Sequence, residues 1–341
     1  AAYPVFNIHQ FPYKYLFLVI YVANKLSGRR IISYILFFIF IFIEYKVSKN
    51  KKNNFYEKHD TMFNIGTGIF YVIFPVIIVS TIILFMYEIF SQFSFFQMPG
   101  VWSALVTGET TYWWAFVLLI FVDDFCYYWF HRISHVSRCL WCIHEVHHSS
   151  KEYNLTVFLR ASFIDYAPQG LFYIPVFLLG FRLEDVLFQM SLNFIYQFWL
   201  HTKFTNRIYI LDYIFNTPSH HRVHHAKNIA YLDKNYGGIF IIWDKIFGTF
   251  AKEEEKVEYG VLHDLQTKNW FKLNFDHFKL MYKDSLKTKN IFYKILYFIH
   301  APGWSHDGSS KTTKQMQKEY FNNNQQNKNI NENNNILQKI G

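Results

Sequence analysis

Long apolar stretches alternate with shorter polar ones along most of the chain. The apolar stretches are rich in Phe, Ile, Leu, Val and Tyr, and they lie at residues 11–23, 31–45, 64–90, 112–130, 163–180 and 185–200. A helix of about 20 apolar residues can cross a bilayer. We therefore expect 64–90 and 112–130 to span a membrane. Each of the first two stretches could be a span, a half-span or an interfacial helix.

The charges of the connecting loops predict an orientation. Five lysines lie in 46–60, whereas 91–111 contains no Lys or Arg. Because positive loops stay on the cytosolic side, 46–60 is predicted to lie there or on a topologically equivalent side. The span 64–90 then leads outward and 112–130 returns. The stretches 163–180 and 185–200 form a hairpin whose two ends lie on that same positive face.

The rest of the chain changes in character towards its end. Residues 202–306 are mixed in polarity and are expected to form a cap over the membrane part. The segment 308–341 is rich in Asn and Gln, with too little apolar surface to offset the entropy of ordering it. The sequence thus predicts an all-α, polytopic membrane helix bundle with a helical cap on the cytosolic-type face. Its parts are a membrane-associated segment 1–60, a main domain 61–306 and a polar low-complexity tail 307–341.

Composition agrees with a membrane protein. Aromatic residues make up 21% of the chain and charged residues 17%, which is too apolar for an ordinary globular surface. The formal net charge of +9 is spread along loops rather than gathered on one face, so it indicates lysines near anionic lipid and no nucleic-acid partner. Three cysteines are too few for a disulfide scaffold.

The histidines are the residues of this chain that indicate a chemical function. Ten of the 16 histidines fall between 131 and 225. Eight lie in the motifs HRISH, HEVHH and HRVHH, His220 directly precedes the third motif, and a lone His201 lies between the second and third. Spacings of three and four residues place imidazoles on one face of a helix. The box histidines are His131, His135, His144, His147, His148, His221, His224 and His225.

So many imidazoles cannot form an apolar core, because each ring has a donor and an acceptor to satisfy. Metal ligation satisfies them, and eight or nine ligands are about right for two ions. Imidazole suits iron, zinc and copper alike, so the ligands alone do not choose the metal. A carboxylate often orients a metal-bound ring, and the candidates are Asp124, Glu145, Asp165, Asp212 and Asp233. Asp124 is favoured because it lies two helical turns before His131; the alternative is a solvated charge at a helix end.

The strings around the boxes resemble a known family. DFCYYWFHR, HHSSKEYNL, YQFWLHT, NTPSHHRVHH and DKNYGGIFIIWDKIFGTF are similar to the fatty acid hydroxylase superfamily, the membrane di-iron enzymes that include sterol desaturases. They look most like the alkylglycerol monooxygenase branch, and the resemblance covers roughly residues 60 to 306. That branch tends to have Glu where this chain has Val136 and Gly where it has Cys126. Alkylglycerol monooxygenase also continues into further membrane spans.

The resemblance implies which residues form the site. It assigns the eight box histidines as metal ligands and suggests His201 as a ninth. It also suggests that Asn154, Asn235 and Tyr236 line the site, and His220 is a further candidate for the surrounding layer. On spacing alone, Asn154, Asn235 and Tyr236 would be ordinary loop residues.

The implied activity is iron-dependent oxidation of a lipid. Two iron ions, with zinc as an alternative in purified protein, would use dioxygen to hydroxylate or desaturate an ether lipid, a sterol or a fatty acyl chain. Electrons must come from a separate reductase, a cytochrome or a reduced pterin, since the chain has no dinucleotide-binding fingerprint; the branch suggests tetrahydrobiopterin.

The alternative function is that of a family member retained as a structural subunit of a larger membrane complex. The intact set of box histidines favours an enzyme over a structural subunit. The expected location is the endoplasmic reticulum membrane, with the mitochondrial inner membrane as the alternative.

Overall fold

The computed structural model describes residues 35–340, apart from 54, 74, 166, 266 and 268. Within these residues the chain is helical, and pairing between extended segments is limited to two isolated bridges. The apolar stretch 11–23 lies outside the described residues. The α-helices are α1 (35–50), α2 (Lys58–Ile73), α3 (Pro75–Phe90), α4 (Trp102–Thr107), α5 (Trp113–Val136), α6 (Arg138–His148), α7 (Gln169–Phe172), α8 (Ile174–Leu178), α9 (Leu183–Leu200), α10 (Pro218–His224), α11 (Ile242–Ile246), α12 (Trp270–Ser285), α13 (Ile291–Ile299) and α14 (Thr313–Ile340).

The predicted span 64–90 falls on α2 and α3. These two helical segments lie on either side of residue 74, which is outside the described residues. The described residues of the stretch are thus helical up to Phe90, as predicted.

Among the described helices, α5 alone combines the length and apolar composition needed to cross a membrane. It packs against α9, and Asp123 joins the two helices. Its carboxylate accepts hydrogen bonds from the Asn193 amide (2.8 Å) and the Tyr173 hydroxyl (2.8 Å). The hairpin predicted at 163–200 has one long leg, α9, while its first leg is divided into the short helices α7 and α8.

A glycine fixes the turn between those legs. Gly180 has φ +88°, in the left-handed region that favours glycine, and a Cβ there would overlap the carbonyl of Phe96. The carbonyl of Gly180 accepts a hydrogen bond from the backbone N–H of Met98 (3.3 Å). The turn is thereby locked to the segment that follows α3.

The cap differs from its prediction. Residues 202–268 are mainly loop, with two short α-helices, α10 and α11. The longer α12 and α13 pack on α6, close to the second histidine box. Because loops carry most of the cap, the expectation of a helical cap is only partly met.

The polar tail is also different from its prediction, because it forms α14 over Thr313–Ile340. Its first turns dock on the cap. The Gln317 amide donates to the carbonyls of Ile229 (3.1 Å) and Leu232 (2.8 Å). These two hydrogen bonds attach the beginning of α14 to the cap.

Candidate metal centre

Four segments carry the nine histidines to one place. His131 and His135 lie on the last turns of α5, and the second box ends α6. His201 caps the C-terminus of α9, and the third box runs along α10. All nine rings belong to buried residues. The one-residue connection between α5 and α6, at Ser137, brings the first two boxes together.

The nine rings divide into two groups. In each group, the nearest ligand atoms all lie within 4.8 Å of one another. The first group, which draws on all three boxes, is His131, His135, His144, His148 and His224. The second group is His147, His201, His221 and His225. The groups are adjacent, since the rings of His148 and His225 stack with centroids 4.3 Å apart.

Hydrogen bonds at Nδ1 orient many of these rings. Backbone carbonyls accept from His131 (Tyr236 O, 2.8 Å), His147 (Arg160 O, 3.0 Å), His201 (Gln197 O, 2.8 Å) and His224 (Lys234 O, 2.9 Å). The carboxylate of Asp165 accepts from His144 at 3.3 Å. A carbonyl or an ionised carboxylate only accepts, so each of these five rings carries its hydrogen on Nδ1 and a lone pair on Nε2.

These lone pairs face one another. Nε2 of His131 lies 3.1 Å from Nε2 of His144, and Nε2 of His147 lies 3.2 Å from Nε2 of His201. Neither pair can hydrogen bond, because none of the four atoms carries a hydrogen. Two nitrogens bound at about 2.0–2.1 Å to one ion would lie about 2.9–3.4 Å apart, for angles between right and tetrahedral. A cation held by each group would resolve both repulsions.

Other ring nitrogens have no partner within the described part of the chain. They include Nε2 of His135, His224 and His225, each buried. A buried polar atom without a partner is costly. Binding a metal would satisfy these atoms as well, so the residues present fit a metal in each group.

Burial also keeps the rings in the state that a metal needs. It lowers the pKa of His147 to about 4 and that of His224 to about 3, with neighbouring imidazoles adding to the effect. Both rings are therefore neutral at physiological pH. Neutral imidazole is the form that binds metal.

Asp124 does not have the role predicted for it. Its carboxylate accepts from the backbone N–H groups of Ile239 (2.5 Å) and Phe240 (2.9 Å) and from the indole of Trp243 (3.0 Å). Its hydrogen bonds therefore fix the segment 237–243, which leads into α11, against α5, and none of them reaches a histidine ring. That segment follows Tyr236, whose carbonyl holds His131, so Asp124 acts on the site through the backbone.

Asn154 and Asn235 likewise form hydrogen bonds with backbone groups and not with the histidine rings. Asn154 caps the 3₁₀-helix Leu155–Leu159 by accepting from Thr156 N (3.0 Å), and its amide donates to the carbonyl of Phe55 (2.5 Å). The amide of Asn235, at φ +57°, donates to the carbonyls of His220 (3.0 Å) and Ala251 (2.8 Å). Both residues tie down segments that flank the second and third boxes.

His220 and Tyr236 have different positions. The His220 ring packs on Phe250, with centroids 5.4 Å apart, and belongs to neither histidine group. The Tyr236 ring lies beside the first group, 5.1 Å from His135 and 5.9 Å from His224 between centroids. Of the four loop and box residues expected around the site, Tyr236 is thus the one whose ring packs on the ligand rings.

A cavity approaches the first group from the cap. Its lining includes His135, His148 and His224 from that group, with Trp141 and the carboxylates of Glu145 and Asp233. The remaining lining comes from the cap and the segments after it: Ala226, Leu232, 260–263, Pro302, Gly303, Lys311 and the start of α14. None of the four histidines of the second group lines it.

Comparison with known proteins agrees with this picture. Residues 116–249 match the model of the fatty acid hydroxylase family. The chain is 35% identical to alkylglycerol monooxygenase of Xenopus tropicalis over 270 residues, covering 79% of this chain and 58% of that protein. It is 43% identical to the human alkylglycerol monooxygenase over 183 residues, 53% of this chain and 40% of that protein.

More distant similarity extends to a bacterial enzyme. An ornithine lipid hydroxylase of Rhizobium tropici is 36% identical over 135 residues, 39% of this chain and 41% of that protein. The chain thus spans about half the length of these curated relatives. No solved structure matches it. The matched domain and its relatives support the predicted family: residues 116–249 form a fatty acid hydroxylase domain, and the chain around it is similar to alkylglycerol monooxygenases.

Proposed function

We propose that this chain is a membrane-bound di-iron enzyme that uses dioxygen to oxidise a lipid. The observation that carries the proposal is the pair of histidine groups whose Nε2 lone pairs face one another at 3.1 and 3.2 Å. A cation in each group accounts for that arrangement. Five and four ligand nitrogens are numbers that iron accommodates, and the family supports iron over zinc.

The protein's part in the chemistry is to position the metals and to exclude bulk water from them. When bound, two reduced irons would supply the activation of dioxygen and the oxidation of an unactivated C–H bond. The nine rings would hold the metals, and the Nδ1 hydrogen bonds to Tyr236, Arg160, Gln197, Lys234 and Asp165 would keep the rings aimed. Burial of all nine histidines keeps bulk water from the reacting atoms.

The substrate is proposed to be a long-chain lipid, with an ether lipid or a sterol favoured over a free fatty acid. Relatives in the comparison are named as alkylglycerol monooxygenases, an ornithine lipid hydroxylase and sterol-modifying enzymes. The resemblance to the alkylglycerol branch leads to the expectation of a glutamate where this chain has Val136, so the ether-lipid choice needs its own test. Whether the product is hydroxylated or desaturated depends on how the lipid lies against the metals.

Electrons would reach the centre from outside the chain. The cavity lined by Trp141, Glu145 and Asp233 leads from the cap to the first histidine group. A small reduced donor such as tetrahydrobiopterin could use this route, whereas a reductase or cytochrome would dock on the cap. We place the enzyme in the endoplasmic reticulum membrane, where such donors act on lipids.

Iron content and turnover test the proposal together. Protein purified without oxygen should hold two irons, and membranes containing it should form an oxidised lipid that depends on dioxygen. His147→Ala removes a ligand from the second group and should abolish the product, because ligands that act as a unit fail together. His59→Ala, on the exposed face of α2, is the matched control and should keep full activity.

The competing function makes a different forecast. A structural subunit of a larger membrane complex would keep the fold and could keep the metal, yet it would turn over no lipid. Identical lipid profiles under air for the wild type and His147→Ala, with normal assembly of both, would reject the enzyme and leave the structural subunit in its place.

A further inference from the structure

The helix α12 turns its apolar face outward. Phe271, Phe275, Phe278, Tyr282 and Leu286 recur at helical spacing, and together they form what we call the aromatic stripe. Four of its five residues are exposed, from Phe275 at 48% to Phe271 at 64%, and Phe278 is half-buried. A surface helix in water normally places such residues against the core.

The inner face of α12 combines polar contacts with two buried apolar side chains, Leu273 and Met281. The His277 ring lies 3.0 Å from the Glu145 carboxylate of α6. The carbonyl oxygen of the Asn274 amide accepts from the backbone N–H of Phe163 at 3.0 Å, and Asp284 pairs with Arg138. The helix thus buries polar and apolar groups on its inner face and still presents aromatics outside, which is the arrangement expected where the surroundings are lipid.

The neighbouring helix α13, which packs against α12, also exposes apolar residues. On α13, Ile291, Phe292, Ile295 and Ile299 are 50–70% exposed, while Tyr297 is buried. Exposed apolar patches larger than a few hundred Å² are rare on soluble monomers and mark an interaction surface. The aromatic stripe and these four residues of α13 therefore indicate a surface that needs a partner.

The charges around this surface identify the partner. Six lysines and two aspartates lie between Trp270 and Ile299, with no arginine or glutamate. Lys272, Lys279 and Lys283 each follow a residue of the stripe directly, and Lys272 and Lys279 border a groove formed with the stripe's aromatic rings. Protein–protein interfaces are depleted in lysine, whereas interfacial membrane helices combine aromatics with flanking lysines.

The position of α12 agrees with a membrane partner. The Trp270 ring packs on Phe70, from the apolar stretch 64–90, with centroids 4.4 Å apart. It also packs on Phe163 at 4.1 Å, and Phe163 in turn contacts Phe275 of the stripe at 5.6 Å. The stripe is thereby continuous with a segment whose composition suits a bilayer interior.

We propose that α12 and α13 insert the aromatic stripe and the four exposed residues of α13 into the headgroup region of an anionic bilayer. The occupant is lipid, and the lysines bind acidic headgroups while their aliphatic stems lie along the stripe. The cap would then rest in the membrane surface rather than project into water. This inference does not depend on the bound metal or on turnover.

Site-specific labelling in a defined bilayer tests the inference. Phe275→Cys in the full chain is labelled with a polarity-sensitive fluorophore and reconstituted without other proteins, in phosphatidylcholine with or without phosphatidylserine. Lys256→Cys, on an exposed cap loop, is the control. The parent chain, with its three native cysteines, is reacted in parallel so that its signal can be subtracted.

The label at 275 should emit at shorter wavelength and be quenched by acyl-brominated lipids, at a depth of about 5–10 Å below the headgroup boundary. The label at 256 should show neither effect. A label at 275 that is unquenched, or quenched no more than at 256, would overturn the proposal. A blue shift without bromolipid quenching would also overturn it, because a protein contact or a second copy would then cover the stripe.

Two further variants keep the test independent of one substitution. A label at Phe292→Cys on α13 should report the same quenching as the label at 275. Replacing Lys272, Lys279 and Lys283 with Gln should remove the extra quenching seen with phosphatidylserine and leave that in phosphatidylcholine alone. Quenching that is equally strong in both lipids before the replacement would disprove the role of the lysines in binding acidic headgroups.

Discussion

Asp165 offers the sharpest test of how the first histidine group is held. Its carboxylate accepts from Nδ1 of His144 at 3.3 Å, and both side chains are buried, with 5% and 10% exposed. Asp165→Ala removes the acceptor, and Asp165→Asn keeps an amide oxygen in its place while removing the charge. The two variants thus separate the loss of the hydrogen bond from the loss of the charge.

The expected magnitude follows from the length of this contact. Losing a group that orients a metal-bound histidine typically costs about 10–100-fold in metal affinity. A charge-assisted hydrogen bond is strongest at about 2.7–2.9 Å, and 3.3 Å is longer. We therefore expect a loss of metal affinity at the lower end of this range for Asp165→Ala, about tenfold or about 1.4 kcal/mol. Asp165→Asn should lose less metal affinity.

An anaerobic iron titration against a competing chelator measures this effect. Of the two iron equivalents, one should weaken more than the other in Asp165→Ala. The second group should change less, because His147 and His201 donate to the backbone carbonyls of Arg160 and Gln197, which the substitution leaves in place. Only the charge of Asp165 reaches His147. Equal weakening of both equivalents, or of neither, would refute the assignment of two separately held ions.

Three further predictions concern stability, each measured by thermal or denaturant unfolding in detergent. Removing bound metal with a chelator should lower the unfolding midpoint, because lone pairs then face one another in both groups. Free iron at about 100 times its Kd should restore about 2.7 kcal/mol of the free energy of unfolding. Gly180→Ala should destabilise by about 1–3 kcal/mol, because φ is +88° and a Cβ would overlap the Phe96 carbonyl. Glu44→Ala should cost about 1–3 kcal/mol, since this buried carboxylate accepts from the backbone N–H of Leu155 at 2.8 Å.

Matched controls separate these effects from general damage. Gly66→Ala lies in α2, where a Cβ meets nothing within 4 Å, and should be neutral or slightly stabilising. Unfolding of Gly180→Ala like that of Gly66→Ala would contradict the argument from the turn. An unfolding midpoint that does not change when a chelator is added would mean that neither group binds metal in the purified protein. Unchanged stability of Glu44→Ala would mean that its hydrogen bonds are replaced by water.

The sequence predicted which histidines would meet but not how they are aimed. Imidazoles at helical spacing share a face, so the boxes could be identified from spacing, and the structure brings all nine rings together. Their aim depends on the carbonyls of Tyr236, Arg160, Gln197 and Lys234. Every residue has a carbonyl, so no residue type marks these positions.

Other differences have identifiable causes. Asp124 lies at the expected spacing from His131, yet its carboxylate faces the segment 237–243, which is more than 110 residues away along the chain. Spacing within one helix cannot show which distant segment packs against it.

The carboxylates near the site are distributed unequally, and this bears on the order of metal binding. Nine neutral imidazoles leave the charge of two divalent ions uncompensated in a buried site. Asp165 lies beside His144, and Asp233 lies 3.6 Å from His135, so both counter-charges are next to the first group. Backbone carbonyls serve His147 and His201 in the second group, and the guanidinium of Arg160 is already held by Asp60 at 2.9 Å. Since an anion close to a buried cation stabilises it, the first group should bind iron first in the titration. Loss of Asp165 should then bring the two affinities closer together, because it removes one of the two charges that distinguish the groups.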